Sequence, residues 1–273
     1  MKNKLALCLP AIFSMAGFAA DLHVDHVTIA GRDLKAMRAE FAAAGVRTDY
    51  GGKHTNGLTE MALASFADGS YVELIASQDP KAGAPSHYWG KFIDDNAGPC
   101  AWAIGVKDLD ATAERLGAHV TESGRIRPDG VALKWHSAAI GPEAQGTFFP
   151  FMIHDETDRA LRANPSGKPT MPEWRGVVEV YVAVRNLEEA VKRYREAFQL
   201  SAARKGFDKT LGAETARFEG TPIVLTTAHS GWLAERLAKF GEAPCAFVIA
   251  GPGKGAEKVQ WLPIAGMRIG VIQ

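Results

Sequence analysis

Two histidines and one glutamate in the first third of the chain have side chains that can ligate a metal ion. His26 and Glu73 each lie in a short run of alternating apolar and polar residues. Because a strand alternates its faces, both side chains can point into the same concavity. His54 lies in a glycine-bounded segment, Gly51 to Gly57, that is able to bend inward. Two imidazoles and one carboxylate form a facial triad with open positions, which suits Fe(II), Mn(II), Zn(II) or Ni(II).

Such a triad predicts catalysis as well as binding. Its open positions could chelate two adjacent oxygens of a substrate, and the ion could stabilise a developing enolate or bind oxygen for ring cleavage. We therefore interpret His26 and Glu73 as catalytic residues, and His26, His54 and Glu73 as the ligands of a divalent metal ion.

The same three residues are also compatible with roles that need no metal. His26 follows Asp25 directly and could be a structural histidine hydrogen-bonded to it. His54 could be exposed to solvent in its glycine-rich segment, and Glu73 could pair with an arginine of the cavity wall. In that case the three side chains would line a polar pocket that holds no metal.

Further residues with binding chemistry are two arginines and several aromatic side chains. Arg125 and Arg127 lie next to a predicted turn, where an arginine could clamp a carboxylate bidentately. A surface arginine braced by Asp129 is the alternative. Aromatic residues on strands could line a cavity or belong to an ordinary core. The predicted substrate-binding set is Arg125, Arg127, Trp102, Trp135 and Tyr71.

The elements that carry these residues repeat along the chain. Three segments, beginning near residues 25, 101 and 179, consist of an alternating strand, a basic residue, Asp or Asn, Leu and then a helix. Asp33, Asp108 and Asn186 occupy the predicted helix N-caps. Short β-type runs follow each helix, so the unit is roughly β-α-β-β-β. A fourth unit begins at residue 244, and a glycine-rich stretch replaces its helix.

The second half of the chain keeps this layout without the chemistry. Glu179 stands at the position of His26, and approximately Val224 stands at the position of Glu73. No histidine lies between residues 201 and 228 to replace His54. This contrast predicts a site in the first half, with the second half as a packing partner. Drift of a duplicated copy is the alternative.

Five short motifs of the first half form a recognisable set. They are Asp25-His26, the run from Gly51 to His54, the run from Tyr71 to Ile75, the run from Arg125 to Gly130 with Trp135, and the run from Pro150 to Ile153. Together they resemble the pattern of the glyoxalase-like domain family of the vicinal oxygen chelate superfamily. The resemblance implies an α+β fold in which tandem βαβββ units form two open, curled, mixed β-sheet barrels with helices outside. Ala101 stands where the superfamily tends to place a further ligand, so the familiar four-ligand glyoxalase site is absent.

The chain divides into a predicted signal peptide and two halves. Residues 1–20 combine two lysines, an apolar stretch and small residues near Ala19, which is typical of a secretory signal. The first half is predicted over 21–161, a linker rich in Pro, Gly and Ser over 162–174, and the partly degenerate second half over 175–273. From the predicted signal peptide we expect a periplasmic or secreted protein. Cys100 and Cys245 are expected to be buried and unpaired.

Composition excludes several partners. The 31 basic and 31 acidic residues give no net charge, which argues against nucleic acid or an anionic membrane as partner after signal cleavage. No GxSxG, Walker or CxxC motif is present. We expect a metal-dependent lyase, isomerase or dioxygenase acting on a small oxygenated molecule. A non-catalytic protein that sequesters a small ligand is the alternative. The sequence is also compatible with a homodimer.

Overall fold

The computed structural model describes residues 22–81, 86–253, 259–264 and 266–272. The predicted signal peptide and residues 254–258 of the glycine-rich stretch that begins at Gly251 lie outside the described residues. Across the described part of the chain, no helix has both the length and the apolar character needed to span a membrane.

The first half folds into an eight-stranded closed barrel with four helices. Its elements are β1 (His23–Ala30), α1 (Leu34–Ala43), β2 (Asp49–His54), β3 (Thr59–Ser65), β4 (Tyr71–Ser77), α2 (Gly90–Asp94), β5 (Gly98–Gly105), α3 (Leu109–Leu116), β6 (Val120–Ile126), β7 (Ala132–Ala138), β8 (Phe151–Asp155) and α4 (Arg159–Ala163). The strands follow the order β1-β4-β3-β2-β6-β7-β8-β5 around the barrel.

The second half forms a curled seven-stranded sheet with two helices. Its elements are β9 (Gly176–Ala183), α5 (Leu187–Phe198), β10 (Arg204–Asp208), β11 (Ala213–Arg217), β12 (Ile223–Thr227), α6 (Gly231–Phe240), β13 (Ala243–Ala250), β14 (Gln260–Ile264) and β15 (Met267–Ile272). The strand order is β10-β11-β12-β9-β13-β15-β14.

Seven of the eight barrel strands have counterparts in the second sheet. The order β2-β3-β4-β1-β5-β8-β7 of the barrel matches β10-β11-β12-β9-β13-β15-β14, with parallel pairs at the same places. Within the described residues of the second half, no strand corresponds to β6. Because β6 closes the barrel by pairing with β2, the first sheet closes while the second stays open. The predicted α+β fold of tandem units is confirmed, with this difference in closure.

Local sequence explains where the repeated helices begin. The side chains of Asp33, Asp108 and Asn186 accept hydrogen bonds from backbone N–H groups three residues later. Each bond satisfies one of the free donors of the first helical turn. The three predicted N-caps are thus confirmed.

One hydrophobic core joins the two halves. Phe41, Ile104, Val180, Tyr194 and Phe247 are fully buried members of the same cluster, although they come from both sheets and from helices of both halves. The segment predicted as a linker contacts the first half. The side-chain hydroxyl of Thr170 accepts a hydrogen bond from the Ser65 backbone N–H at 2.7 Å.

The two cysteines of the described chain are buried and unpaired, as the sequence predicts. Cys100 and Cys245 each lie at a register shift of the strand pairs β1–β5 and β9–β13. Burial raises the pKa of both thiols, that of Cys245 to about 12, so neither is a reactive nucleophile.

Candidate active site in the first barrel

The interior of the first barrel contains a cavity of about 560 Å³. His26, His54 and Glu73 all line it, so the barrel brings the predicted triad into one space. The lining also includes the polar side chains of Thr121, Ser123, Ser137 and Gln145 and the aromatic side chains of Tyr71, Trp89, Trp135 and Phe151.

Strand register places His26 and Glu73 on the same face. In the parallel pair β1–β4, His26 lies opposite Tyr71 and Thr28 lies opposite Glu73. Residues two apart on one strand share a face, so both side chains point into the barrel. The Thr28 hydroxyl donates a hydrogen bond to Oε2 of Glu73 at 2.9 Å.

The Glu73 carboxylate lies between the two imidazoles. His26 Nε2 is 3.9 Å from Oε2, and His54 Nε2 is 3.5 Å from Oε1. Burial opposes the ionised form of Glu73, but the hydrogen bond and charge of His54, the charge of His26 and the Thr28 hydroxyl lower the pKa of Glu73 to about 2. The carboxylate is therefore ionised at neutral pH and available as a ligand.

A β-bulge brings the partner of His26 into place. Strand alternation would point Asp25 away from the cavity, but the β1–β5 register shifts between Val24 and His26, leaving Asp25 out of the ladder. Its Oδ1 is 2.6 Å from Nδ1 of His26. A proton on Nδ1 of the neutral ring would leave the Nε2 lone pair available for a cation held between His26 and Glu73. The hydrogen bond considered as an alternative role for His26 thus orients this ring.

Two arginines of α4 hold Asp25. Arg162 contacts the Asp25 carboxylate with Nη2 at 2.8 Å and Nη1 at 3.1 Å, and it also pairs with Asp155. Arg159 pairs with the same carboxylate. Burial opposes ionisation, but Arg162, the His26 hydrogen bond and Arg159 hold the pKa of Asp25 well below its usual range.

The same helix also braces the other side of His26. Arg162 donates a hydrogen bond to the hydroxyl of Tyr71, and the Tyr71 ring stacks on the His26 imidazole with 4.7 Å between centroids. The ring of His26 is therefore held by Asp25 at its edge and by Tyr71 across its face.

His54 is positioned by the closure of the barrel. Gly52 has a φ of +106°, and a Cβ there would lie 2.8 Å from the carbonyl oxygen of Ile126 on β6. Glycine thus permits the close approach of β2 to β6. At the end of β2, Nδ1 of His54 lies 2.8 Å from the Thr59 hydroxyl, and Nε2 faces Glu73.

Of the predicted substrate-binding residues, Tyr71, Trp135 and Arg125 line the cavity. The lining does not include Trp102 or Arg127. Trp102 lies opposite Val27, on the face of β5 that points to the hydrophobic core. It is fully buried there, so strand alternation separates it from the cavity.

Arg127 has a structural environment. Its guanidinium contacts Asp129 at 2.7 Å and the carbonyl oxygens of Leu161 and Pro165 at 3.2 and 2.7 Å. It therefore braces the chain around α4. The contact with Asp129 matches the alternative that the sequence left open, but Arg127 is buried and does not lie at the surface.

His87 also lines the cavity, although it is not among the predicted site residues. Its Nδ1 accepts a hydrogen bond from the Trp89 backbone N–H at 3.2 Å. Burial and the charge of His54 lower the pKa of His87 to about 4, while Glu73 acts in the opposite direction. The row of His87, Tyr88 and Trp89 before α2 is the signal that could have identified this wall. Arg162, in contrast, lies in a predicted linker that offers no such signal.

A second group of ligand-type residues lies at and beyond the rim of the cavity. Nε2 of His136 is 2.9 Å from Glu156 and 3.6 Å from Glu122, and one ligand atom from each lies within 4.8 Å of the others. Within the described part of the chain, the ligand atoms of Glu122, His136 and Glu156 thus lie close enough to share an ion as they stand. Those of His26, His54 and Glu73 do not all lie within 4.8 Å of one another. Metal-binding measurements must therefore separate the two sets.

Comparisons with known proteins agree with this architecture. The sequence profile described as "Glyoxalase-like domain" matches residues 24–198. No curated protein matches the sequence. A hypothetical protein from Staphylococcus aureus has a TM-score of 0.64 at 15% identity, covering 92% of this chain and 99% of that chain.

Two further solved structures are enzymes by their names. A variant of 4-hydroxymandelate synthase from Streptomyces coelicolor has a TM-score of 0.51 at 10% identity, covering 85% of this chain and 71% of that one. A methylmalonyl-CoA epimerase variant from Streptomyces coelicolor has a TM-score of 0.36 at 20% identity, covering 50% and 95%. At these identities, the two structures with TM-scores above 0.5 are evidence of the fold alone.

Proposed function

The chain belongs to the glyoxalase-like domain family of the vicinal oxygen chelate superfamily, and on that premise we propose that it is a metal-dependent enzyme acting on a small oxygenated molecule in the first barrel. The family match over residues 24–198 contains all residues of the proposed site. It also confirms the resemblance predicted from the motifs.

The observation that carries this proposal is the arrangement of His26, His54 and Glu73. Each imidazole has its Nδ1 next to a partner oxygen, from Asp25 or Thr59, and turns Nε2 toward the same buried carboxylate. Metal-ligating histidines usually donate their second ring N–H in this way, which fixes the tautomer. The donor set suits Fe(II), Mn(II), Zn(II) or Ni(II).

A divalent ion bound to these three side chains would supply Lewis-acid stabilisation of a substrate oxygen that gains negative charge. The protein would supply the orientation. Glu73 stays ionised, Asp25 holds the Nδ1 edge of the His26 ring, and aromatic side chains form part of the cavity wall. A lyase, isomerase or dioxygenase reaction is consistent with this chemistry.

A non-catalytic protein that binds or sequesters a small molecule is the second candidate. It is favoured because ligand-type side chains occur on one side of the barrel. The position of β5 that corresponds to His26 on β1 holds Ala101, and the position of β8 that corresponds to Glu73 on β4 holds Phe151. Half of the barrel therefore offers no ligand at these positions.

Export to the periplasm or the medium is a further part of the proposal. It rests on the basic and apolar pattern of residues 1–20. Mass spectrometry of the protein recovered from the cell exterior should show a chain beginning near residue 20. Recovery of the full chain from the cytoplasm alone would contradict export.

Elemental analysis of protein purified without a histidine tag tests metal dependence. We expect about one equivalent of a transition metal in the wild type, retained in His136→Ala and lost in both His26→Ala and Glu73→Gln. His136→Ala is the matched control because it disrupts the rim set of Glu122, His136 and Glu156 and leaves the cavity intact.

Two results would contradict the proposed cavity site. One is wild-type protein without metal after growth and dialysis in each of the four candidate ions. The other is metal that is lost in His136→Ala and kept in Glu73→Gln. Thermal unfolding of every variant must accompany the metal measurements, so that loss of metal is not confused with loss of fold.

A further inference from the structure

Among the residues that the structure describes, the buried charges around the cavity are paired with one exception. Arg159 and Arg162 share the carboxylates of Asp25 and Asp155 as a compact ionic network. Glu73 has the two imidazoles and Thr28 as neighbours. This leaves the guanidinium of Arg125.

Arg125 points into the barrel and has no carboxylate partner in the described chain. It lies opposite His54 in the β2–β6 pair, is 1% exposed and lines the cavity. Its terminal nitrogens donate hydrogen bonds to the carbonyl oxygens of Gly51 and, at 2.5 Å, Arg162. Its Nε has no hydrogen-bond partner.

Arg127 provides the contrast on the same stretch of chain. Both arginines brace the chain around α4 through carbonyl oxygens, but Arg127 also has Asp129 at 2.7 Å and does not line the cavity. Arg127 thus braces α4 while paired with a carboxylate. Bracing alone does not explain why Arg125 lacks such a partner. A buried charge without a partner is costly, and one that lines a cavity is a common means of attracting an opposite charge.

When a metal ion is bound to Glu73, the other charges of the cavity wall would not cancel that of Arg125. Burial lowers the pKa of Arg125 to about 10, so the guanidinium is charged at neutral pH. The Glu122 side chain is 81% exposed and lies beside His136, where solvent screens its charge. Glu73 is the buried carboxylate that faces the same interior. A metal ion bound to Glu73 would neutralise the negative charge of that carboxylate, which would then no longer offset Arg125.

We propose that the first-barrel cavity takes small anions, specifically carboxylates, and that Arg125 selects them over neutral molecules of the same size. The inference rests on the proposed function and adds the chemical class of its substrate. A carboxylate entering the cavity would meet the positive potential of Arg125 together with that of a bound ion. The volume of about 560 Å³ accommodates a small organic acid.

The probes are pyruvate and hydroxyacetone, which share a three-carbon ketone skeleton and differ in charge. Calorimetric titration of metal-loaded wild type should show at least about tenfold tighter binding of pyruvate. Arg125→Gln should weaken this preference, because only the bound ion would then attract the anion, while Arg127→Gln should keep it in full. Arg125→Lys, which keeps the charge, should retain most of it and serves if Arg125→Gln does not fold.

A metal-free experiment separates this inference from the proposed function. In the presence of a chelator, Glu73→Gln leaves Arg125 without a counter-charge, so pyruvate should bind Glu73→Gln more tightly than the metal-free wild type. Adding Arg125→Gln to that variant should abolish the gain. If the wild type holds no metal and this gain is observed, the metal proposal fails while the anion selectivity stands.

Three outcomes would overturn the inference. They are equal affinity of the wild type for pyruvate and hydroxyacetone, equal losses in Arg125→Gln and Arg127→Gln, and absence of pyruvate binding at millimolar concentration in both the metal-loaded wild type and metal-free Glu73→Gln.

Discussion

The first strands of the two halves have the same backbone and different chemistry. The antiparallel pairs β1–β5 and β9–β13 shift register at corresponding points, between Val24 and His26 in one and between Val177 and Glu179 in the other. Thr28 lies opposite Glu73, and Tyr181 lies opposite Val224. The register thus supports the sequence alignment, in which Glu179 corresponds to His26 and Val224 to Glu73.

At the corresponding place in the second half, three polar side chains are satisfied among themselves. Glu179 forms an ion pair with Arg217, which donates a hydrogen bond at 3.0 Å to the Tyr181 hydroxyl. That hydroxyl donates in turn to Glu179 at 3.1 Å. No Asp25 equivalent is available, because the bulge position holds Val178. Both halves therefore contain the β-bulge, but only the first half has the carboxylate and the imidazole, Asp25 and His26, that the bulge brings together.

Replacing Glu73 by the second-half residue should have the largest effect. Glu73→Val removes the carboxylate between the two imidazoles, and we expect the affinity for Zn²⁺ to fall by roughly a hundredfold or more. Calorimetric titration measures this change, with Glu122→Gln at the rim as the control. Unchanged Zn²⁺ affinity in Glu73→Val would show that the two halves do not differ in metal chemistry.

Removing the partner of His26 should have the next largest effect. Asp25→Asn should weaken Zn²⁺ binding by about 10- to 100-fold, because the carboxylate fixes the Nδ1–H tautomer. Asp155→Asn is the matched control, since Asp155 pairs with the same Arg162 without touching His26. Nitrogen-15 NMR of His26 reports the tautomer without metal. Similar losses of affinity in both variants would mean that Asp25 acts on stability alone.

Gly52 and Gly206 provide a test of barrel closure. They correspond by register, since Gly52 lies opposite Met61 and Gly206 opposite Thr215. Gly52→Ala should destabilise the protein by about 1–3 kcal/mol, because of its positive φ and its contact with β6. Gly206→Ala has only ordinary contacts, and we expect a change within about 0.5 kcal/mol. Urea unfolding curves give both values, and equal costs would contradict the role of closure.

The cysteines should show the smallest difference, because they occupy equivalent positions. At pH 8 neither Cys100 nor Cys245 should react with a thiol reagent in the folded protein, and both should react after denaturation without reductant. Their folded pKa values are raised above the ordinary 9.0, so the neutral thiol is favoured by folding. Stability should therefore fall as the pH rises above about 9. A third reactive thiol after denaturation would indicate that Cys8 is retained, and absence of both would reveal a disulfide.

Several features followed from the sequence because they depend on local patterns. N-caps at Asp33, Asp108 and Asn186 need only a short polar side chain before a helix. The shared face of His26 and Glu73 follows from alternation within two strands. The repeat of strand and helix units, and the loss of polar residues from the second half, are also visible in the order of residue types.

Only the tertiary structure decided which distant segments meet. Arg162 reaches Asp25 across 137 positions of the chain, and Asp25 faces His26 because a bulge overrides alternation. Trp102 lies in the core and Arg125 in the cavity wall because strand register and barrel closure set which face of each strand is enclosed. Residue types along the chain define the chemistry that is available, whereas contacts between remote segments depend on how the complete sheet closes and packs.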